Sequence, residues 1–166
     1  MTEELQAARP YRREIASGLL ADPVNVRVLR ALDDDPRLGM TALGRRVGLS
    51  APAVTERVRR LSDSGVIAGF RTDVAPAAAG LPVAAFVRVR PGPGQLTRIA
   101  ELARATPQVV ECYRITGEDC FLMRIQVGGV DELEDVLDQF LLYGQTTSSI
   151  VQSTTVAPRQ VPLPDP

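Results

Sequence analysis

Apolar residues recur along the first half of this chain at intervals of three and four, the spacing of a helix face. Asp22-Pro23 opens the first helix, with Asp22 as N-cap and Pro23 at the first helical position. Val24, Val28, Leu29 and Leu32 form its buried face. Asp33-Asp34-Asp35-Pro36 ends it, because acids sit badly at a helix C-terminus and Pro36 blocks continuation. Two short helices then flank a tight turn in TALGRRVGLSAPAVTERVRRL, residues 41–61. Thr41 is placed to cap the first, which buries Ala42, Leu43 and Val47. Gly48 stands where a helix end needs a residue that tolerates positive φ, and Leu49 anchors the turn. Ser50 is a good N-cap for the second helix, and Pro52 falls in its first turn, where a missing N–H costs nothing. Val54, Val58 and Leu61, at i, i+4 and i+7, make one buried stripe. Ser62-Asp63-Ser64-Gly65 is a break, Val66–Val74 reads as extended, and Ala75–Gly80 reads as a linker.

The second half changes pattern. Pro82–Arg90 alternates as a strand, with Val83, Ala85, Val87 and Val89 on one face and Ala84, Phe86, Arg88 and Arg90 on the other. Pro91-Gly92-Pro93-Gly94 turns the chain into a helix over Gln95–Thr106, which buries Leu96, Ile99, Ala100, Leu102 and Ala103. Pro107 stops it. Val109–Thr116 and Phe121–Val127 are strands joined by a short loop, and Asp131 caps a helix with Leu133, Val136, Leu137, Phe140 and Leu141 inward. Thr147–Val156 is the last strand. The predicted order, strand-helix-strand-strand-helix-strand, is a ferredoxin-like α+β domain with both helices on one face of an antiparallel sheet. In the third strand Phe121, Met123, Ile125 and Val127 alternate with Leu122, Arg124 and Gln126, so neither sheet face is cleanly polar. An apolar second face marks a protein contact, and two such sheets are expected to pack face to face in a homodimer. The expected domains are an arm and helical domain over 1–65, an extended strand and linker over 66–81, and the α+β domain over 82–160.

Charge sharpens the picture. Net charge over the 166 residues is −1, which argues against indiscriminate nucleic-acid binding. Arg37–Arg71, however, holds seven arginines against Glu56 and Asp63, a local +5, whereas the chain from Pro76 holds seven arginines against ten acids, a local −3. A basic segment on an acidic body is the footprint of a DNA reader with a second task. The layout around Gly48 and Ser50 is that of a winged helix-turn-helix, whose second helix enters the major groove of double-stranded DNA. Its first turns should face base edges with Ala51, Pro52, Thr55 and Glu56; Thr55 offers a hydrogen bond or a methyl, and Ala51 apolar contact. Glu56 is placed to accept from cytosine or to pair with Arg60 at i+4, the pairing being the stronger reading. Arg57, Arg59 and Arg60 cannot all reach bases, so one or two bind phosphate, and Ser50 can cap and touch phosphate together. Arg45 and Arg46 on the preceding helix and Arg71 on the wing are candidate backbone contacts.

Other classes recede. No apolar run approaches a membrane span and no signal pattern opens the chain, so a cytoplasmic protein is expected. Cys112 and Cys120 lack metal-ligand spacing and there is no histidine, so no metal and no cofactor are expected, and both thiols should be reduced. Without histidine the usual general base is missing, and no nucleophile set or phosphate-cradling glycine loop appears, so the chain does not read as an enzyme.

Three segments, ALGRRVGLSAPAVTERVRRLSDSGVIAGF (42–70), TPQVVECYRITGEDCFLMRIQV (106–127) and VDELEDVLDQFLLYGQTTSSIVQSTTV (130–156), together resemble the Lrp/AsnC, or feast/famine, transcription regulators. The resemblance spans roughly residues 20–160, and the order of both modules is its most specific part. It implies a RAM/ACT-like C-terminal domain, dimers that build tetramers or octamers, and a small-molecule effector, commonly an amino acid, bound between dimers. It also implies that the loop Thr116-Gly117-Glu118-Asp119-Cys120-Phe121 lies near the effector; Cys120 stands where many members have Asp, with an acid one place earlier. Thr147 and Ser149, in a polar stretch entering the last strand, are candidate ligand hydroxyls or plain strand residues. Two other readings share this architecture: an architectural protein that coats DNA with little sequence preference, and a siroheme-decarboxylase-like enzyme, whose family chemistry leans on the histidine this chain lacks.

Overall fold

The computed structural model describes residues 18–165. They form two compact units, one reaching to Thr72 and including the returning segment from Pro158, the other Asp73–Ala157. The arm expected over 1–18 lies, up to residue 17, outside the described residues. Residues 66–72 and 158–160, assigned by pattern to the linker and the C-terminal domain, group with the helical unit.

That unit is built on α1 (Pro23–Asp34), α2 (Met40–Val47) and α3 (Ala51–Asp63). The Asp22 carboxylate caps α1 by accepting from Val24 N at 2.8 Å. Val28, Leu29, Ala31, Leu32, Leu43, Val47, Val54 and Leu61 close one core, with Val58, Val66 and Ile67 half-buried against it. Val24 is only half-buried and Ala42 is exposed; Ala31 and Gly44 take the inward positions instead. Thr41 does not cap α2: the helix starts one residue earlier behind Gly39, whose carbonyl accepts from Leu43 N at 2.9 Å. Gly48 ends α2 at φ 76°, and Ser50 caps α3 by accepting from Ala53 N at 3.4 Å.

No strand forms over 66–74 among the described residues. Val66 and Ile67 turn into the helical core, after which Phe70 (60% exposed) and Val74 (66%) face outward with no ladder partner. A strand needs a neighbour to bond, so the extended reading does not become a hydrogen-bonded wing within one chain. The linker, in turn, contains a tight helical turn, Pro76–Ala79, ended by Gly80.

The second unit is an antiparallel sheet with two helices. β1 (Val83–Pro91), α4 (Leu96–Ala105), β2 (Val109–Arg114), β3 (Phe121–Val127), α5 (Val130–Leu141) and β4 (Gly144–Ile150) follow in that order, and the strands lie β2-β3-β1-β4. This is the expected ferredoxin-like topology. Ala85, Val87 and Val89 of β1 and Phe121, Met123, Ile125 and Val127 of β3 are buried with Ile99, Ala103, Leu133, Val136 and Phe140 of the helices. Leu96 and Leu141 prove exposed, at the ends of their helices. Asp131 is not a cap; Gly129 holds that place, and Glu132 reaches back to accept from Gly128 N at 2.7 Å and from Gln108 Nε2 at 2.9 Å. These bonds hold the Glu132 carboxyl below its ordinary pKa, the Gly128 amide most. β4 runs six residues shorter at its end than expected, stopping at Ile150, and the last bond of its ladder runs from Val151 N to the Ala84 carbonyl at 2.8 Å. Both cysteines are free thiols.

Candidate nucleic-acid interface and candidate effector site

The turn between α2 and α3 depends on a close approach. Gly44 packs so tightly that a Cβ there would stand 2.7 Å from the Leu49 carbonyl oxygen, while Leu49 N bonds to Gly44 O at 2.8 Å. This brings the N-terminus of α3 to the surface with Pro52, Thr55 and Glu56 exposed and Ala51 half-exposed. Thr55 Oγ1 donates to the Ala51 carbonyl at 2.8 Å. Its only hydroxyl proton is thus engaged, leaving a methyl and acceptor lone pairs to offer a base edge.

The arginines divide into distinct roles. Arg57 turns back into the unit: its Nη1 donates to Asp22 at 2.5 Å and to Asn25 at 2.7 Å, and its side chain is 23% exposed. The pairing holds the Asp22 carboxyl below its ordinary value of 3.8, with the Val24 amide helping. Asn25 is buried and donates in turn to the Leu19 carbonyl at 2.9 Å. Arg57, expected at phosphate or base, is here a bracket between the start of α1 and the middle of α3. Sequence pattern missed this because Asp22 and Arg57 lie 35 residues apart.

Glu56 pairs chiefly with Arg59, at i+3, through contacts of 2.7 and 3.0 Å, and only loosely with Arg60 at 3.9 Å. Arg59 also bonds Asp63 at 2.8 Å. These bonds lower the Glu56 pKa and raise that of Arg59. Arg46 is paired with Asp34. Arg45 is exposed and has no ion pair among the described residues. Arg71 is exposed on the segment after Ile67. Arg59 and Arg60 are thus exposed toward the far end of α3 from its Ser50 cap, and Arg45 is exposed on α2; phosphates can displace the exposed carboxylates of Glu56 and Asp63 from their guanidiniums.

In the sheet unit, register places the candidate effector residues. Arg88 of β1 stands opposite Thr147 of β4 and Leu122 of β3; Phe86 stands opposite Ser149 and Arg124. All of these therefore share the face turned away from the helices. The loop Thr116–Cys120 comes to the same face: Asp119 lies 3.7 Å from Arg88 and 3.8 Å from Arg90, and Glu118 is paired with Arg90. Gly117, at φ 102°, and Cys120, at φ 38°, make the bend, and Cys120 leans on the core instead of facing the arginines. Thr116 is exposed. The structure thus gathers Glu118, Asp119 and Thr147 around Arg88 and Arg90, two residues that alternation placed on the outer face without giving them a role. Ser149 lies one outward position further along β4.

The same face is the expected packing surface. It exposes Phe86 (43%) and Tyr113 (52%) beside Leu122, and Arg124 bonds Glu111 at 2.8 Å. Gln126 is withdrawn from it, buried and donating to the Leu81 carbonyl at 2.7 Å. Among the described residues no helix is long and apolar enough to cross a membrane, and no cluster of three or more His, Cys, Asp or Glu could hold a metal ion.

Comparison with known proteins covers both units. Residues 22–68 match the winged helix-turn-helix DNA-binding model, and residues 84–161 match the Lrp/AsnC ligand binding domain. The HTH-type transcriptional regulator LrpC of Bacillus subtilis is 32% identical over 132 residues, 80% of this chain and 92% of that protein. Its structure superposes with a TM-score of 0.78 at 31% identity, covering 82% of this chain and 98% of that one. A feast or famine regulatory protein from M. tuberculosis, solved with L-methionine, reaches 0.79 at 32% identity over 86% of this chain and 99% of its own. A transcriptional regulator from Neisseria meningitidis, also an L-methionine complex, gives 0.78 at 26% identity, covering 86% of this chain and 96% of that one.

Proposed function

This chain belongs to the Lrp/AsnC family of transcriptional regulators, and from that premise we infer how its two units divide the work. It is a DNA-binding regulator whose activity is modulated by a small metabolite. The observation that carries the reading at the DNA is the α3 end, where a capped helix presents Ala51, Pro52 and Thr55, with Arg59 and Arg60 exposed further along it. Arg45, Arg59 and Arg60 hold phosphates and set register, with Arg46 and Arg71 as outer backbone contacts, while Thr55 and Ala51 read the groove floor. So few base-reading groups leave part of the selectivity to DNA shape and bending.

The effector is an amino acid. Arg88 and Arg90 face Asp119 and Glu118 across pairs that are loose or exposed, so both charges can be drawn to a zwitterion. Its carboxylate takes a guanidinium and its ammonium takes Asp119, with Thr147 beside them and Thr116, Gly117 and Cys120 shaping the bend. Ser149 borders the site. The methionine complexes of two relatives support this class of ligand. The chain forms homodimers through the Phe86 face, and these assemble to tetramers or octamers. An effector must then bind one assembly or DNA-bound state better than another, because equal affinity shifts nothing.

A gel shift of the purified protein on its own upstream DNA, at two salt concentrations and with or without the twenty amino acids, tests the whole reading. A discrete, competitor-resistant shift that the mixture alters is the expected result. A diffuse, salt-sensitive shift blind to amino acids would replace it with an architectural role.

A further inference from the structure

The match to the ligand-binding family ends at residue 161, but the chain continues to 166. From Pro158 it groups with the DNA-binding unit. Leu163 packs half-buried against the helical core. Arg30, on α1, donates to the Pro164 carbonyl at 3.0 Å and stands 3.4 Å from the Asp165 carboxylate. Gln160 and Val161 line a groove of about 660 Å³ together with Leu29, Leu32, Pro36 and Phe70. The segment APRQVPLPDP holds four prolines in ten residues, so it has few conformations to lose on docking. One apolar anchor and one guanidinium clamp therefore suffice to hold it.

The origin of this segment gives it a task. It leaves β4 through residues 151–157 only, and β4 carries Thr147 and Ser149 on the candidate effector face. A short tether thus joins an effector-facing strand to a segment seated on the DNA-binding unit, in addition to the connection through 66–81. We propose that the face of the helical core met by Leu163, with Arg30 beside it, is the docking surface for the chain's own C-terminal segment, and that the docked segment passes effector occupancy to the DNA-binding unit. The second clause rests on the amino-acid reading above; the first does not.

Three variants test it: the chain ended at Ala157, full-length Leu163→Asp, and full-length Arg30→Gln. Hydrogen exchange over α1 and residues 66–72 reads docking without DNA or effector, and fluorescence anisotropy on upstream DNA, with and without the amino-acid mixture, reads coupling. Docking predicts exchange about tenfold faster in the truncated and Leu163→Asp proteins, and a smaller rise in Arg30→Gln. Coupling predicts that affinity without amino acids stays within about threefold of wild type while the amino-acid-induced change shrinks by at least half. Unchanged exchange in all three would overturn the docking surface. Faster exchange with a full amino-acid response would overturn the coupling. A wild type that binds DNA but ignores amino acids would sink the effector reading and the coupling with it, while the exchange comparison would still decide the docking. If truncation unfolds the chain, the two point variants carry the same comparison.

Discussion

Arg57 sits on the recognition helix and bonds Asp22 and Asn25 instead of facing outward. Its removal leaves a buried Asn25 and a capping carboxylate without their partner. Arg57→Ala should therefore lower stability by about 1–2 kcal/mol, toward the modest end because Asp22 is partly open to water. Thermal unfolding would show this as a drop of several degrees, and DNA affinity would fall with the helix's placement. Arg45→Ala should do the reverse, leaving the midpoint unchanged while lowering affinity and flattening the log–log salt slope by about one. An unchanged slope would remove Arg45 from the interface. The same bracket has a pH signature. Asp22 binds its proton more weakly folded than unfolded, so its contribution is complete well above 3.8 and fades as pH falls through its lower folded value. Asp22→Asn, which keeps a cap but no charge, should show a shallower loss of stability below about pH 4 than wild type in acid titrations followed by circular dichroism.

At the scale of elements, the two segments on which the proposed function rests are each held by a contact of their own. The α2–α3 turn relies on the bare backbone of Gly44 against Leu49. Gly44→Ala should force the turn apart at a cost of about 1–3 kcal/mol, and Gly44→Val more. Chemical denaturation would measure it, and a neutral Gly44→Ala would mean that α2 shifts freely along α3. The loop between β2 and β3 relies on charge instead, with Asp119 facing Arg88 and Arg90. Asp119→Ala should blunt the response to amino acids while leaving basal DNA binding within about twofold, since the residue belongs to the other unit. A normal ligand titration would take that loop out of the site.

At the scale of the whole molecule, one chain supplies a single recognition helix and an open sheet face with Phe86 and Tyr113 at its surface. Pairing two such faces buries the aromatic rings and brings two recognition helices to one duplex, with half-sites about one helical turn or a multiple apart. Phe86→Asp should shift sedimentation toward monomer and weaken DNA binding by more than tenfold through lost avidity, without disturbing the fold of either unit. A Phe86→Asp protein that sediments as wild type would place the dimer contact elsewhere.

The sequence by itself determined most of the elements, because these are written in local chemistry. Asp22, Ser50 and Gly48 mark helix ends through bonds and backbone angles reached within a few residues. The alternation in Val83–Val89 and Phe121–Val127 sets which sheet face is buried. Tertiary structure decided everything that depends on residues distant in the chain. It turned Arg57 inward to Asp22, set Arg88 and Arg90 against the Glu118-Asp119 loop, and returned Leu163 to the first unit. It also withheld a strand from 66–74, because backbone hydrogen bonding needs a neighbour that no local pattern can supply. A charged side chain reads the same in a sequence whether it faces solvent, a phosphate or a carboxylate; only the chain's path brings one of them within reach.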